Sequence, residues 1–289
     1  MSKLALVLLS VMLSLNAFAH EELKEDKSFW WKANWWDGGQ LRQVNNHKVK
    51  VEWTEYESDD VTVPAMVARP DDNKAYPAVI FQHGRAGLSD LLQLQVKRIA
   101  ARGFVVMAPD IYAANFIGTH PFPHDYKLEK DASAVVDVLL SRNDISSKKA
   151  CIVSHTRGGY YSLKTAVTFK HQEKNLACYI SYYPHWQDPN APEPAQVYGY
   201  AAEIEQLKIP VLVFIGEQEQ YQRRRVIETS FSILKKNKIE SQLIIYPGVG
   251  RGFDFRPPAV RTFADELASK DAIARSADFI NHYLRDKKN

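Results

Sequence analysis

Ser154-His-Thr-Arg-Gly-Gly159 decides how this chain is read. Ahead of it runs Lys149-Ala-Cys-Ile-Val153, a short apolar stretch of strand type. Behind it, Tyr160-Tyr-Ser-Leu-Lys-Thr-Ala166 carries a helical pattern. A hexapeptide between a buried strand and a helix is a sharp turn that lifts its apex residue above the end of the strand. That apex is Thr156, with Ser154 and Gly158 two residues to either side.

Outward from this turn, strand and helix patterns alternate. Strand-like runs are Ala78–Gln82, Phe104–Ala108, Ala150–Val153, Ala177–Tyr182, Val211–Ile215 and Ser241–Tyr246. Helix-like runs are Leu91–Ala101, Lys130–Leu140, Tyr160–Phe169, Arg223–Lys236 and Lys270–Leu284. Such alternation implies an α/β fold, with a mostly parallel central sheet flanked by helices on both faces. Ahead of it, Val49–Tyr56 and Val61–Val67 read as two strands joined at Asp59-Asp60. The proline-rich stretch Asp188-Pro-Asn-Ala-Pro-Glu-Pro194 is expected to be a surface loop near the site. With no internal repeat or low-complexity linker, residues 47–289 are expected to form one domain.

The N-terminus has a different character. Lys3, the apolar run Leu4–Leu15 and Ala17-Phe-Ala19 have the order of a cleaved signal peptide over residues 1–19. That run is shorter than the roughly 20 residues a membrane span needs. The expectation is a periplasmic or secreted protein that is not an integral membrane protein. Residues 20–46 hold Trp30, Trp31, Trp35 and Trp36, which either pack this arm onto the domain or offer a patch to a protein partner. A net charge of +3 is too small and too scattered to argue for nucleic acid. Cys151 and Cys178 fall on strands expected to be sheet neighbours and read as two buried free thiols rather than a disulfide, with the bond left open in a compartment that permits it.

Several stretches together resemble the dienelactone hydrolase family of the α/β-hydrolase superfamily. They are Val63-Pro-Ala-Met-Val-Ala-Arg-Pro70, Tyr76-Pro-Ala-Val-Ile-Phe-Gln-His-Gly84 and Gly103-Phe-Val-Val-Met-Ala-Pro-Asp-Ile-Tyr112. Tyr182-Tyr-Pro184 and Tyr246-Pro-Gly248 add to the likeness, which runs from about Val49 to Leu284. The resemblance implies hydrolysis of a carboxylic ester or lactone without a cofactor. It places a Cys or Ser nucleophile at the elbow turn, an Asp after a later strand and a His near the end. By position these fall on Thr156, on Glu219 in Gly216-Glu-Gln-Glu219, and on Arg251 in Gly248-Val-Gly-Arg-Gly-Phe253. All three residues differ from the family's.

The three departures are unequal. Glu219 keeps a carboxylate. Thr156 keeps a hydroxyl, but a β-branched residue at positive φ is strained. Arg251 is severe, because a guanidinium has no lone pair with which to take a proton. Among the histidines, His83 belongs to the loop His83-Gly-Arg-Ala-Gly87, His155 is expected to point into the fold, and His282 lies on the last helix. Ester or lactone hydrolysis by the Ser–His–Asp route is therefore expected to be weak or lost. Arginine meanwhile recurs at site-forming positions: Arg85 beside Gly84 in the oxyanion loop, Arg157 after the elbow, Arg251 and Arg256. Three readings stay open. The pocket binds a small anion or ester-like molecule; or Arg251 simply pairs with Glu219 while Arg85 and Arg157 face solvent; or a Thr-based hydrolysis survives. No His, Asp or Glu cluster has the spacing of a metal site.

Overall fold

The computed structural model describes residues 29–30, by backbone, and residues 45–284. The leader-like residues 1–19 lie outside the described residues, as do Trp31, Trp35 and Trp36. The described strands are β1 (Phe29–Trp30), β2 (Val49–Ser58), β3 (Val61–Pro70), β4 (Tyr76–Gln82), β5 (Val105–Pro109), β6 (Ile145–His155), β7 (Leu176–Tyr182), β8 (Val211–Gln218) and β9 (Ser241–Gly250). They join one sheet in the order β1-β9-β8-β7-β6-β4-β5-β3-β2. Strands β4 to β9 pair in parallel, while the hairpin β2–β3 runs antiparallel at one edge.

Composition explains this layout. Val79, Ile80 and Phe81 of β4, Val105–Met107 of β5 and Val211–Ile215 of β8 are continuous apolar runs, and all are buried. Strands apolar on both faces need cover on both, which parallel crossovers supply. Strand β2 instead exposes Lys50, Glu52, Glu55 and Glu57, charges that keep an edge from pairing further.

The covering helices are α1 (Asp90–Ala100), α2 (Ile111–Ala114), α3 (Leu128–Leu140), α4 (Gly158–Leu163), α5 (His171–Lys174), α6 (Glu193–Tyr198), α7 (Glu203–Gln206), α8 (Tyr221–Lys236) and α9 (Phe263–Leu284). Four short helices, α2, α5, α6 and α7, add to the expected set, and α6 begins within the proline-rich stretch read as a loop; two of the expected helices also differ from their reading. The helix after the elbow is α4 followed by a π turn, Lys164–Thr168, where β-branched Thr165, Val167 and Thr168 crowd the chain. Helix α9 starts seven residues before Lys270, at Phe263, because Thr262 and Asp265 cap it reciprocally: the Thr262 N–H donates to Asp265 Oδ2 (2.9 Å) and the Asp265 N–H to Thr262 Oγ1 (3.1 Å). No helix among the described residues is long and apolar enough to cross a membrane.

The cysteine expectation is corrected. Strands β6 and β7 are neighbours, and Cys151 stands directly opposite Cys178 with their Cα atoms 4.7 Å apart, so the two form a disulfide. That spacing lies within the range a disulfide spans.

The carboxyl ends of the parallel strands meet along one edge of the sheet. Gly84 and Arg85 follow β4, Thr156 follows β6, His185 follows β7, Glu219 follows β8 and Arg251 follows β9. Residues far apart in sequence thus share one rim, where open α/β sheets hold their ligands. Replacing both cysteines by Ala should leave this topology intact while lowering unfolding free energy by about 2–4 kcal/mol in a urea titration, from lost loop restriction. An unchanged midpoint would show that the bond adds nothing to stability.

Candidate functional site

Thr156 is held at φ 50°, a left-handed conformation that a β-branched residue adopts at a cost of about 1–3 kcal/mol. Backbone contacts enforce it. Its N–H donates to the Tyr182 carbonyl (3.2 Å), and its own carbonyl accepts from Gly159 (3.0 Å) and His185 (2.8 Å). Two glycines make room for the turn. A Cβ on Gly158 would collide with the Gln82 carbonyl, and one on Gly84 with Thr156 Oγ1. The Thr156 hydroxyl therefore lies against the loop that follows β4. Ser154, where the family pattern has Gly, is buried and bonds Ser181 Oγ at 2.8 Å.

Behind the hydroxyl stands an ion pair. The Glu219 side chain is fully buried; one oxygen accepts from the Gln220 N–H (2.8 Å), the other from Arg251 Nη1 (3.1 Å). The Arg251 guanidinium lies 5.3 Å from the centre of the Tyr183 ring, a cation–π distance. The loop carrying Arg251 is pinned nearby. His155 Nε2 meets Asp254 Oδ2 at 2.7 Å, the Tyr183 hydroxyl donates to the same carboxylate, and Gln95 donates to the Asp254 carbonyl at 2.6 Å. Burial, and next the Asp254 charge, raise the Tyr183 hydroxyl well above its usual range and keep it a donor.

A cavity of about 240 Å³ opens onto Thr156, lined by Gly84, Arg85, Arg157, His185, Arg223 and Arg251 among others. Four arginines line it and no carboxylate does. A second cavity of about 690 Å³ adjoins it under the proline-rich loop and shares Arg85, Arg157, His185 and Arg223. Those three arginines rest on neutral acceptors. Arg85 Nε and Arg157 Nη1 both donate to the Pro121 carbonyl (3.1 and 3.3 Å). Arg223 donates to the side-chain oxygens of Gln187 (2.7 Å) and Gln196 (3.3 Å). Burial, followed by repulsion from Arg251, lowers the Arg223 guanidinium to about 10, so it still carries its charge at neutral pH. His185 is 6% exposed and its Nε2 has no hydrogen-bond partner. Burial and then the four arginines push its pKa well below the usual histidine value, leaving the ring neutral at pH 7.

The structure thus brings Gly84, Arg85, Thr156, Arg157 and Arg251 together, with Glu219 directly behind. The reading in which Arg251 pairs with Glu219 while Arg85 and Arg157 face solvent holds for the ion pair and is corrected for Arg157, which is only 3% exposed; Arg85 is half-buried and lines both cavities. Arg256 is not part of the Thr156 cavity lining. It turns to Asp265 (3.5 Å) and to the Arg251 carbonyl (3.4 Å), because the capped start of α9 places a buried carboxylate beside it. His83 stays buried, its ring bonded to the Gly84 carbonyl at 2.9 Å. Two cavity residues were missed from the sequence. Arg223 stands there only as the start of the helix-like run Arg223–Lys236, yet the first turn of α8 faces the cavity. His185 directly follows Tyr182-Tyr-Pro184 at the carboxyl end of a parallel strand, and that position was the available signal.

Comparison with known proteins agrees with this frame. A chain from Yersinia pestis, provisionally assigned as a carboxymethylenebutenolidase, is 24% identical over 238 residues, covering 75% of this chain and 85% of its own length. A solved esterase from Pyrobaculum calidifontis superposes with a TM-score of 0.63 at 18% identity, over 81% of this chain and 85% of that one. A crystal structure from Klebsiella pneumoniae, provisionally assigned as a dienelactone hydrolase, gives a TM-score of 0.66 at 19% identity, over 82% of this chain and all of that one. At such identities these likenesses speak for the fold. The family itself is fixed by a sequence model of the dienelactone hydrolases that matches residues 63–284. The chain belongs to the dienelactone hydrolase family.

Proposed function

We propose that this protein is a family member in which Ser–His–Asp-type ester or lactone hydrolysis is weak or lost, and that its pocket binds a small anion. One observation carries the reading: a guanidinium occupies the place of the proton acceptor and is already committed to Glu219 at 3.1 Å. A protonated guanidinium has no acceptor site, so it cannot deprotonate Thr156. Nor does its charge suffice. A nearby cation lowers a pKa by roughly 1–3 units, and an aliphatic hydroxyl begins as weak an acid as water, far above neutrality. With Arg251 matched by Glu219, the other three cavity arginines, Arg85, Arg157 and Arg223, rest on neutral oxygens and supply the field an anion needs. Export, argued from residues 1–19, belongs to the same proposal.

A second reading, Thr-based hydrolysis, is favoured by one feature: the elbow keeps Thr156 strained at φ 50° beside the oxyanion loop. Turnover of a short-chain activated ester separates the two. The native protein and Thr156→Ala are expected to match the buffer rate, while Arg251→His, which restores an acceptor beside Glu219, gains measurable turnover. Native turnover that vanishes in Thr156→Ala would overturn the proposal in favour of the second reading. The ion pair makes a separate prediction about stability. Arg251→Ala leaves a buried carboxylate uncompensated and should cost about 3 kcal/mol. Adding Glu219→Gln should recover most of that loss in the same urea titration.

A further inference from the structure

The two cavities share four lining residues, Arg85, Arg157, Arg223 and His185, which form the waist between them. The charge there is more than a single carboxylate matches. Arg251 has Glu219, but the waist arginines hold only carbonyl and amide oxygens. Two guanidinium groups converge on one carbonyl, that of Pro121, so like charges are held side by side across a neutral atom. Such an arrangement is relieved by an anion of more than one charge, and guanidinium forks suit the several oxygens of a compact head.

His185 adds an independent observation. Its main chain is tied to the elbow through the Thr156 carbonyl (2.8 Å), so the ring is fixed in place. Its Nε2 is buried without a partner, and a buried polar atom left unpaired costs about 1–3 kcal/mol. Arg157 Nε is a second such atom at the waist. Both belong to residues that line the two cavities. The arginines that keep the ring uncharged would be neutralised by a dianion, so the ring is free to meet it as a donor.

The outer cavity tells what the head is attached to. Its wall includes Phe122, Pro123, Pro189, Pro192 and Val197, and its volume of about 690 Å³ is of the size that holds a small organic molecule. Glu193 on the same wall discourages a second negative group on that body.

We infer that the waist is a binding site for an organic phosphate monoester, its dianionic head held by Arg85, Arg157, Arg223 and His185 and its uncharged body in the outer cavity. This deepens the anion-binding reading and rests on it. No step at Thr156 is part of it; the head lies beside the elbow.

Calorimetric titration of the full mature chain with phenyl phosphate, inorganic phosphate and benzoate tests the inference. Phenyl phosphate is expected to bind at least tenfold more tightly than either of the others. Arg223→Gln and His185→Gln should each weaken it about tenfold or more. Val197→Asn, which makes the wall polar without adding charge and leaves the head contacts in place, should bring phenyl phosphate down to the affinity of inorganic phosphate without changing the latter. Benzoate binding as tightly as phenyl phosphate would overturn the dianionic head while leaving anion binding intact. Inorganic phosphate equalling phenyl phosphate in the native protein would overturn the role of the outer cavity. Affinity unchanged in both Arg223→Gln and His185→Gln would place the anion elsewhere. No binding of any of the three would remove the anion-binding proposal as well.

Discussion

The backbone bend at Thr156 is the constraint on which the site depends. A left-handed β-branched residue persists only where its surroundings over-determine it, and here they do. Strand β7 and the segment after it grip the bend through Tyr182 and His185, and Gly158 lets α4 start hard against the end of β4. Those same contacts set the positions of the loop bearing Gly84 and Arg85 and of the segment bearing His185. Relaxing the bend would therefore shift the acceptors and cations around the cavity together with the hydroxyl.

What surrounds the bend is an electrostatic arrangement with an uneven balance. Arg251, at the position where the family resemblance puts the proton acceptor, is neutralised at close range by Glu219. The other cavity arginines are held by carbonyl and amide oxygens, which fix their geometry without cancelling their charge. Burial, and after it repulsion from the neighbouring arginines, lowers the pKa values of Arg223 and His185. The fold accepts this because the β-strand runs beneath are thoroughly apolar and buried, so stability is carried by the core rather than by the rim.

Features encoded locally were legible in the sequence. The strand-turn-helix around Thr156, the hairpin at Asp59-Asp60 and the alternation of apolar runs each lie within a few residues of their own signal. Positions defined only by the meeting of distant strands were less so. Arg223 looks solvated from its own helix, and its burial follows from Gln187 and Gln196 lying across from it. His185 carries no pattern beyond its place after β7. The start of α9 was missed because its reciprocal cap, Thr262 with Asp265, stands ahead of the apolar periodicity. Whether the cysteines bond depends on strand register, which alternating patterns leave open within apolar runs.

That register gives the disulfide a meaning apart from stability. In adjoining parallel strands a slip of one residue turns a side chain to the opposite face of the sheet, where its sulfur is out of bonding reach. Cys151 and Cys178 can therefore close only when β6 and β7 are aligned as they are here, with His155 opposite Tyr182 at the end of the same ladder. The bond is a proofreading mark on the sheet: in an oxidising compartment, a chain whose elbow strand is misaligned keeps two free thiols, and chemical reactivity alone distinguishes it from one whose Thr156 turn is correctly placed.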